Sequence, residues 1–269
     1  MCVTLGQATL SGTIIYTASV QHEGAEAHVL GYQNRANSRG PNAMILPIPT
    51  LEAMGPHNLV DTRATPWLLE DMDMMCRMRS RSMTKGGPLI GAGVQIFDSG
   101  SYTVVLATDA EAIPQALGYV AEHKRPTVAP GFFTEYQKLY PGWPIAVCCW
   151  SGTIKAEPLL WWYRPRFPKW LFFPTVDAHD GRPPVPGDVR VDHTLIWGDP
   201  AGEFESNLVG PMNQAPSQRQ PLPPTILPLI VPRLSALRPN GQQPNGDFWV
   251  RQGSKPKRIF PNGFHEVSL

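Results

Sequence analysis

Short runs of β-prone apolar residues, interrupted every few positions by glycine or proline, dominate this chain and predict many short elements rather than long helices. Residues 11–21 (SGTIIYTASVQ) and 25–33 (AEAHVLGYQ) read as two strands across the turn His22-Glu23-Gly24, and therefore as a hairpin. The apolar run 42–49 (NAMILPIP) ends in proline and reads as a buried strand that cannot continue. A helix is predicted from about Pro66 to Met78. Thr65 suits its N-cap and Pro66 its first turn, while Glu70, Asp71 and Asp73 lie early and Arg77 and Arg79 late, the order that complements the helix dipole. Trp67, Leu68, Met72, Met75 and Met78 form its core-facing set. The basic run that follows (RMRSRSMTKGG) reads as an exposed loop.

Residues 94–98 and 102–107 predict two more strands. Ile113, Leu117 and Val120 line one face of a second helix from Thr108 to about His123, with Thr108 and Glu111 at capping-box spacing. Pro114 offers a competing start, because inside a helix it removes a backbone donor. A short third helix over 131–140 stops at Pro141-Gly142, and strands follow at 145–150, 158–163, 171–175 and 188–197. From Pro211 onward, eleven prolines predict an extended arm without helix or inner strand. The fold class expected is α+β: a mixed or antiparallel sheet packed by two or three helices over residues 1–206, then a proline-rich basic arm over 207–269.

The order of these phrases resembles a family of uncharacterised bacterial proteins, domain of unknown function family 2330. The resemblance rests on Cys2, then His28-Val29 with Tyr32-Gln33, then AMILPIP (43–49), Thr65-Pro66, and DSGSYTVVLATD (98–109) running into Ala110 to Leu117. It spans roughly residues 2 to 200 and implies a fold and a domain boundary; the family offers no catalytic residues to carry over.

Composition narrows the classes. With 42% hydrophobic residues in 269, the chain can build a core. Its 23 basic and 22 acidic residues nearly cancel, so bulk charge favours neither nucleic acid nor an anionic membrane as partner. Seven basic residues against two acidic ones beyond position 206 make the arm basic, suited to folding back on the body or docking on a neighbouring subunit or protein partner. No basic-then-apolar leader and no apolar run of about 20 residues is present, so a cytoplasmic protein is expected, with no membrane contact. Cys2, Cys76, Cys148 and Cys149 lack CxxC spacing and suggest neither a zinc knuckle nor a disulfide scaffold.

Chemistry is concentrated at position 2. Removal of Met1 would leave Cys2 with a free thiol beside an α-amine whose pKa lies near 7.7 to 8.0, a nucleophile with its own base. An amide-bond hydrolase built this way needs donors for the developing oxyanion, and Asn34, Arg35 and Asn42, just past the hairpin, are the candidates. Gly31-Tyr32-Gln33-Asn34 is faintly similar to a Gly-Arg-Asn segment of cysteine members of the N-terminal-nucleophile hydrolases, with tyrosine where that family has arginine. The bland alternative makes Cys2 a small apolar residue beginning an edge strand. The other class of function is a non-catalytic binding or assembly protein acting through its arm.

Asp177, His179, Asp180, Asp188, Asp192 and His193 could in principle meet around a divalent metal, but their spacing matches no metal motif and no metal or other cofactor is assigned. The run Trp161-Trp162-Tyr163-Arg164 to Phe172-Phe173 has the aromatic-cation mixture of single-strand nucleic-acid grips. Period-two alternation instead places its rings on the two faces of a buried strand, and the structural reading is preferred.

Overall fold

The computed structural model describes residues 3–77, 95–202, 204–205, 222–251 and 253–261. Cys2, the basic run beyond Arg77, the start of the arm and Phe264 lie outside the described residues. The fold is α+β, as the sequence predicts: mixed and antiparallel sheets with three α-helices among the described residues.

The predicted hairpin is its centre. β2 (Ala8–His22) and β3 (Ala25–Pro47) pair antiparallel from His22↔Ala25 down to Ala8↔Ser38. Glu23 (φ 53°) and Gly24 (φ 78°) make the two-residue turn; both central residues take left-handed φ, as the twist of a tight hairpin requires. The run 42–49 is not a separate strand. It is the second half of β3, which bends past Asn37, where its register against β7 (Ile145–Lys155) shifts, and then pairs with β1 (Val3–Thr4) and β7. The sheet continues through β7 to β6 (Tyr102–Ala107) and β5 (Gln95–Ser99). Beside β3 also lies β8 (Leu159–Tyr163), joined by β4 (Leu59–Val60).

On the other side, β11 (Thr194–Gly198) pairs parallel with β2, and β13 (Arg233–Leu237) lies between β11 and β12 (Phe204–Glu205). The predicted strand 188–197 is thus two strands in different sheets: β10 (Asp188–Val191) pairs with β14 (Gly241–Pro244) instead. The arm, expected to hold no inner strand, supplies two, one over Asp247–Arg251 and one in β13. Pro232 and Pro239 flank that strand without entering it, so its backbone donors are intact. A third sheet joins β9 (Trp170–Phe173), β15 (Asp247–Arg251) and β16 (Lys257–Ile259).

α1 (Leu68–Met75) is shorter than predicted. Thr65 does not cap it with its side chain; that hydroxyl donates to the Thr62 carbonyl. The second predicted helix begins with a single 3-10 turn at Ala110–Ala112 capped by Asp109, whose carboxylate accepts from Glu111 N, and α2 (Ile113–Leu117) follows with Pro114 in its first turn. α3 (Phe132–Leu139) is the third helix.

Side chains from the two faces of the main sheet enter different cores. Ile14, Tyr16 and Ala18 of β2 face α1 (Leu68, Leu69, Met72) and the arm (Ile226, Leu229, Ile230, Leu234). Ile15 faces Trp161, Phe173 and Phe248 in the layer under β9 and β15. Ile45 and Val147 pack beneath α2 and α3. Each buried Leu or Ile here contributes about 1.5–3 kcal/mol, which is how a segment rich in proline is nonetheless held on the body. Tyr16 adds direction: its hydroxyl donates to Leu229 O at 3.0 Å and accepts from Val231 N at 3.1 Å. No helix among the described residues is long and apolar enough to cross a membrane.

Candidate functional site

β2 carries a bulge. Ser11 pairs with Arg35 and Ile14 with Gln33, so Gly12 and Thr13 together oppose the single residue Asn34. Gly12 has φ +59°, the left-handed conformation that such a bulge favours in glycine. The bulge interrupts the flat face of the sheet next to α1, and a cleft of about 410 Å³ opens there. Its walls are Ser11, Gly12 and Ile14 from β2, Gln33 to Arg35 from β3, Glu70, Asp73 and Arg77 from α1 and the turn after it, Lys155 from β7, and Asp192 and Thr194 at the start of β11.

Three cations, Arg35, Arg77 and Lys155, and three carboxylates, Glu70, Asp73 and Asp192, line the cleft, and Arg238 of the arm joins Asp73 from outside it. Glu70 accepts from Lys155 Nζ at 2.8 Å and has Arg35 at 4.0 Å. Asp73 accepts from Arg77 at 2.7 Å, one helical turn on, and from Arg238 of the arm at 2.6 Å. Burial works to raise the Asp73 carboxyl, but the two guanidiniums outweigh it and hold the group below the usual carboxylate range. The side chains of Arg35 and Lys155 are 65% and 55% exposed, so these pairs add at most about 1 kcal/mol each to stability and leave donors turned to solvent.

At the base of the cleft Gln33 is buried. Its Nε2 donates to the carbonyls of Pro66 and Ala156, both at 3.0 Å, while its Oε1 has no partner. Pro66 and Ala156 belong to an adjoining hollow of about 180 Å³, framed also by Trp67 and Glu157, which shares Glu70 and Lys155 with the cleft.

The three predicted oxyanion donors do not converge. Asn34 is buried in the cleft wall, accepts from Tyr102 Oη at 3.2 Å and touches Met44 Sδ at 3.5 Å. Arg35 lines the same cleft and points to Glu70. Asn42 serves the N-terminal segment instead: its Oδ1 accepts from Gly6 N (2.9 Å) and Ala43 N (2.8 Å), and its Nδ2 donates to Gln7 O (3.2 Å). Val3, the first described residue, is buried and pairs with Ile45. Cys76, Cys148 and Cys149 are buried, and burial pushes the Cys76 and Cys149 thiols up to about 12.

The acidic and histidine residues of 177–193 are dispersed. His179 meets Asp177 at 3.0 Å, Asp180 pairs with Arg182, Asp192 lines the cleft and His193 is buried. No group of three or more such side chains among the described residues is placed to hold a metal ion. Trp161, Trp162 and Tyr163 are buried, with Arg164 stacked 5.3 Å over the Trp162 ring, so this stretch packs as the alternation predicts.

Lys155, Glu70, Asp73 and Asp192 were not singled out together by sequence reasoning. The one local signal was Gly12 within a strand pattern, which marks a bulge or a close approach.

Fold and site together define a sheet protein with a polar, ion-paired cleft at a strand bulge. No family model and no curated protein matches the chain. Among solved structures it is similar to baculovirus P35, at 16% identity and a TM-score of 0.45, over 73% of this chain and 67% of that one. A mutated baculovirus P35 after caspase cleavage is similar at 14% identity and a TM-score of 0.41, over 70% and 65%. At these identities and scores the likeness assigns no activity.

Proposed function

We propose that this is a cytoplasmic binding protein that takes its partner, another protein, in the cleft beside the β2 bulge. The observation that carries the reading is the cleft itself: exposed cations of β3 and β7 gathered on the Glu70 carboxylate of α1, beside a buried amide oxygen with no partner. Fixed, pre-paired charges and an unfilled acceptor are what a recognition surface needs before its partner arrives. Ile226, Leu229, Ile230 and Leu234 of the arm pack within the chain, which supports a partner contact at the cleft rather than through these residues. The test is NMR shift mapping of the isotope-labelled protein against pools of peptides. Shifts that cluster on Gly12, Gln33 to Arg35 and Lys155 support the reading; shifts confined to the 177–193 turns or to the β5 edge overturn it.

A second reading is an amide-bond hydrolase with Cys2 as nucleophile, favoured by Asn42, the predicted donor that is hydrogen-bonded to the N-terminal segment at Gly6 and Gln7. It requires that Met1 be removed and that Cys2 react with a thiol probe faster than the three buried cysteines. Intact-mass analysis with Met1 retained, or equal labelling of all four, refutes it.

A further inference from the structure

We infer that the exposed segment 182–186 (RPPVP) is a docking ligand: a preformed polyproline II prism offered to a partner domain with an aromatic-lined groove of the SH3 type. This contact is a second one, independent of the cleft, whose lining it does not share. Local sterics dictate the conformation. Pro183, Pro184 and Pro186 hold φ at roughly −65°, and each proline bars the residue before it from the helical region, which constrains Arg182, Pro183 and Val185 to extended or polyproline backbone. Residues 183–185 accordingly belong to no helix or strand. Glycines at positive φ close the run on both sides, Gly181 at 79° and Gly187 at 143°.

Exposure then repeats every three residues, the period of a polyproline helix. Gly181 and Pro184 are buried and form the edge that lies against the body; Arg182 and Val185 are exposed and form a second edge; Pro183, half-buried, and Pro186, exposed, form the third. Val185 is 68% exposed, an apolar side chain turned to water beside an exposed proline. A Pro-x-x-Pro ligand docks on an aromatic-lined groove, and a three-sided helix can put at most two of its edges there. In this chain the body holds the third, and the two that carry Val185 and Pro186 face outward.

The segment is also held firmly at both ends. Asp180 bridges to Gln7, and its carboxylate accepts from Arg182 N at 3.1 Å and from the Arg182 guanidinium. A Cβ on Gly181 would meet Leu5 O at 2.8 Å, so the backbone there lies directly on the N-terminal segment. On the far side Asn245 Nδ2 donates to Val185 O at 3.0 Å and Asn245 N to Gly187 O at 2.6 Å, and β10 begins at the next residue, Asp188. A ligand ordered before it binds avoids much of the entropy cost of docking. With Arg182 paired to Asp180, what the segment presents is shape and apolar surface rather than charge.

The experiment titrates the isotope-labelled full chain with a panel of purified SH3 domains and follows amide shifts. Binding by at least one domain is expected, with shifts centred on Arg182, Val185 and Gly187, whose amides flank the prolines. Val185→Glu and Pro186→Ala, both at exposed positions, are each expected to lower that domain's affinity by about tenfold or more with the Tm unchanged. A panel in which no domain binds the chain overturns the proposal. So does a domain that binds a capped peptide of residues 180–188 but not the folded chain, because the segment is then not presented, and so does binding that both variants leave intact. Each of these results leaves the cleft reading standing, since shifts at Gly12, Gln33 to Arg35 and Lys155 are read separately.

Discussion

Replacing Asp247 with asparagine should change how stability depends on pH, with a sign that the structure fixes. Asp247 is buried; its Oδ2 accepts from Tyr140 Oη at 2.7 Å, and its Oδ1 accepts from Thr175 N at 2.7 Å and Val176 N at 2.9 Å. Burial pushes its pKa up to about 6, against the pull of those donors and of nearby Arg258. A carboxyl whose folded pKa lies above its unfolded value contributes stability that is complete below about pH 4 and is lost as pH rises through 6. Two pKa units at 1.36 kcal/mol each make that loss about 3 kcal/mol. His28 works in the opposite sense. Burial lowers its pKa to about 4, so its neutral form contributes stability above about 6.5 that is lost as pH falls through 4, again about 3 kcal/mol. The two slopes oppose one another over the same window, so their combined contribution to the native protein is nearly flat between pH 4 and 6.5. In Asp247→Asn the amide can still accept the two backbone N–H groups, and the opposing slope is gone. Urea unfolding across pH 4 to 7 should then show stability rising with pH by about 3 kcal/mol more than in the native chain. A variant whose pH profile runs parallel to the native one refutes the reasoning.

Tyr16→Phe removes one hydroxyl and orphans both Leu229 O and Val231 N; the expected loss is about 1–3 kcal/mol in chemical unfolding, with the main sheet's circular dichroism unchanged. Trp162→Ala, which empties a site walled by His22, His57 and Arg164, should cost about 3–5 kcal/mol and lower the Tm markedly. An unchanged Tm would mean that the ring serves recognition rather than packing.

How much of this was legible in the chain depended on how local each cause is. The hairpin around Glu23-Gly24 was readable because its turn and its register are set by adjacent residues. Pro114 marked the start of α2 for a similarly local reason, the donor it lacks. The union of 42–49 with the second strand was hidden, since it depends on pairing with β1 and β7, the latter about a hundred residues onward. Likewise 188–197 splits at Asp192-His193 because its halves find different partners, β14 and β2. In the arm a count of prolines misled where their positions did not: Pro232 and Pro239 fall beside β13, which β11 and β12 make an inner strand, and no proline falls within β15, which β9 and β16 make another. The cleft followed the same rule. Asn34 and Arg35 drew attention through their place after the hairpin, but Glu70 and Lys155 meet across 85 positions, a separation that no spacing rule reaches.

One carboxylate joins the arm to the cleft. Asp73 takes Arg77 on its own helix and Arg238 just past β13, and the Arg238 guanidinium also donates to the Asp73 main-chain carbonyl at 3.2 Å. Being well covered, Asp73 would bear a large desolvation cost if either cation withdrew, so the arm's seat on α1 and the position of Arg77 in the cleft wall are coupled electrostatically. The apolar contacts of Ile226, Leu229 and Ile230, fixed in register by Tyr16, bring β13 into the sheet and so deliver Arg238 to that carboxylate. The arm therefore acts on the cleft without lining it: Arg238 takes one oxygen of Asp73 while the other holds Arg77 in the cleft wall, so the seat of the arm and the shape of the cleft share one carboxylate.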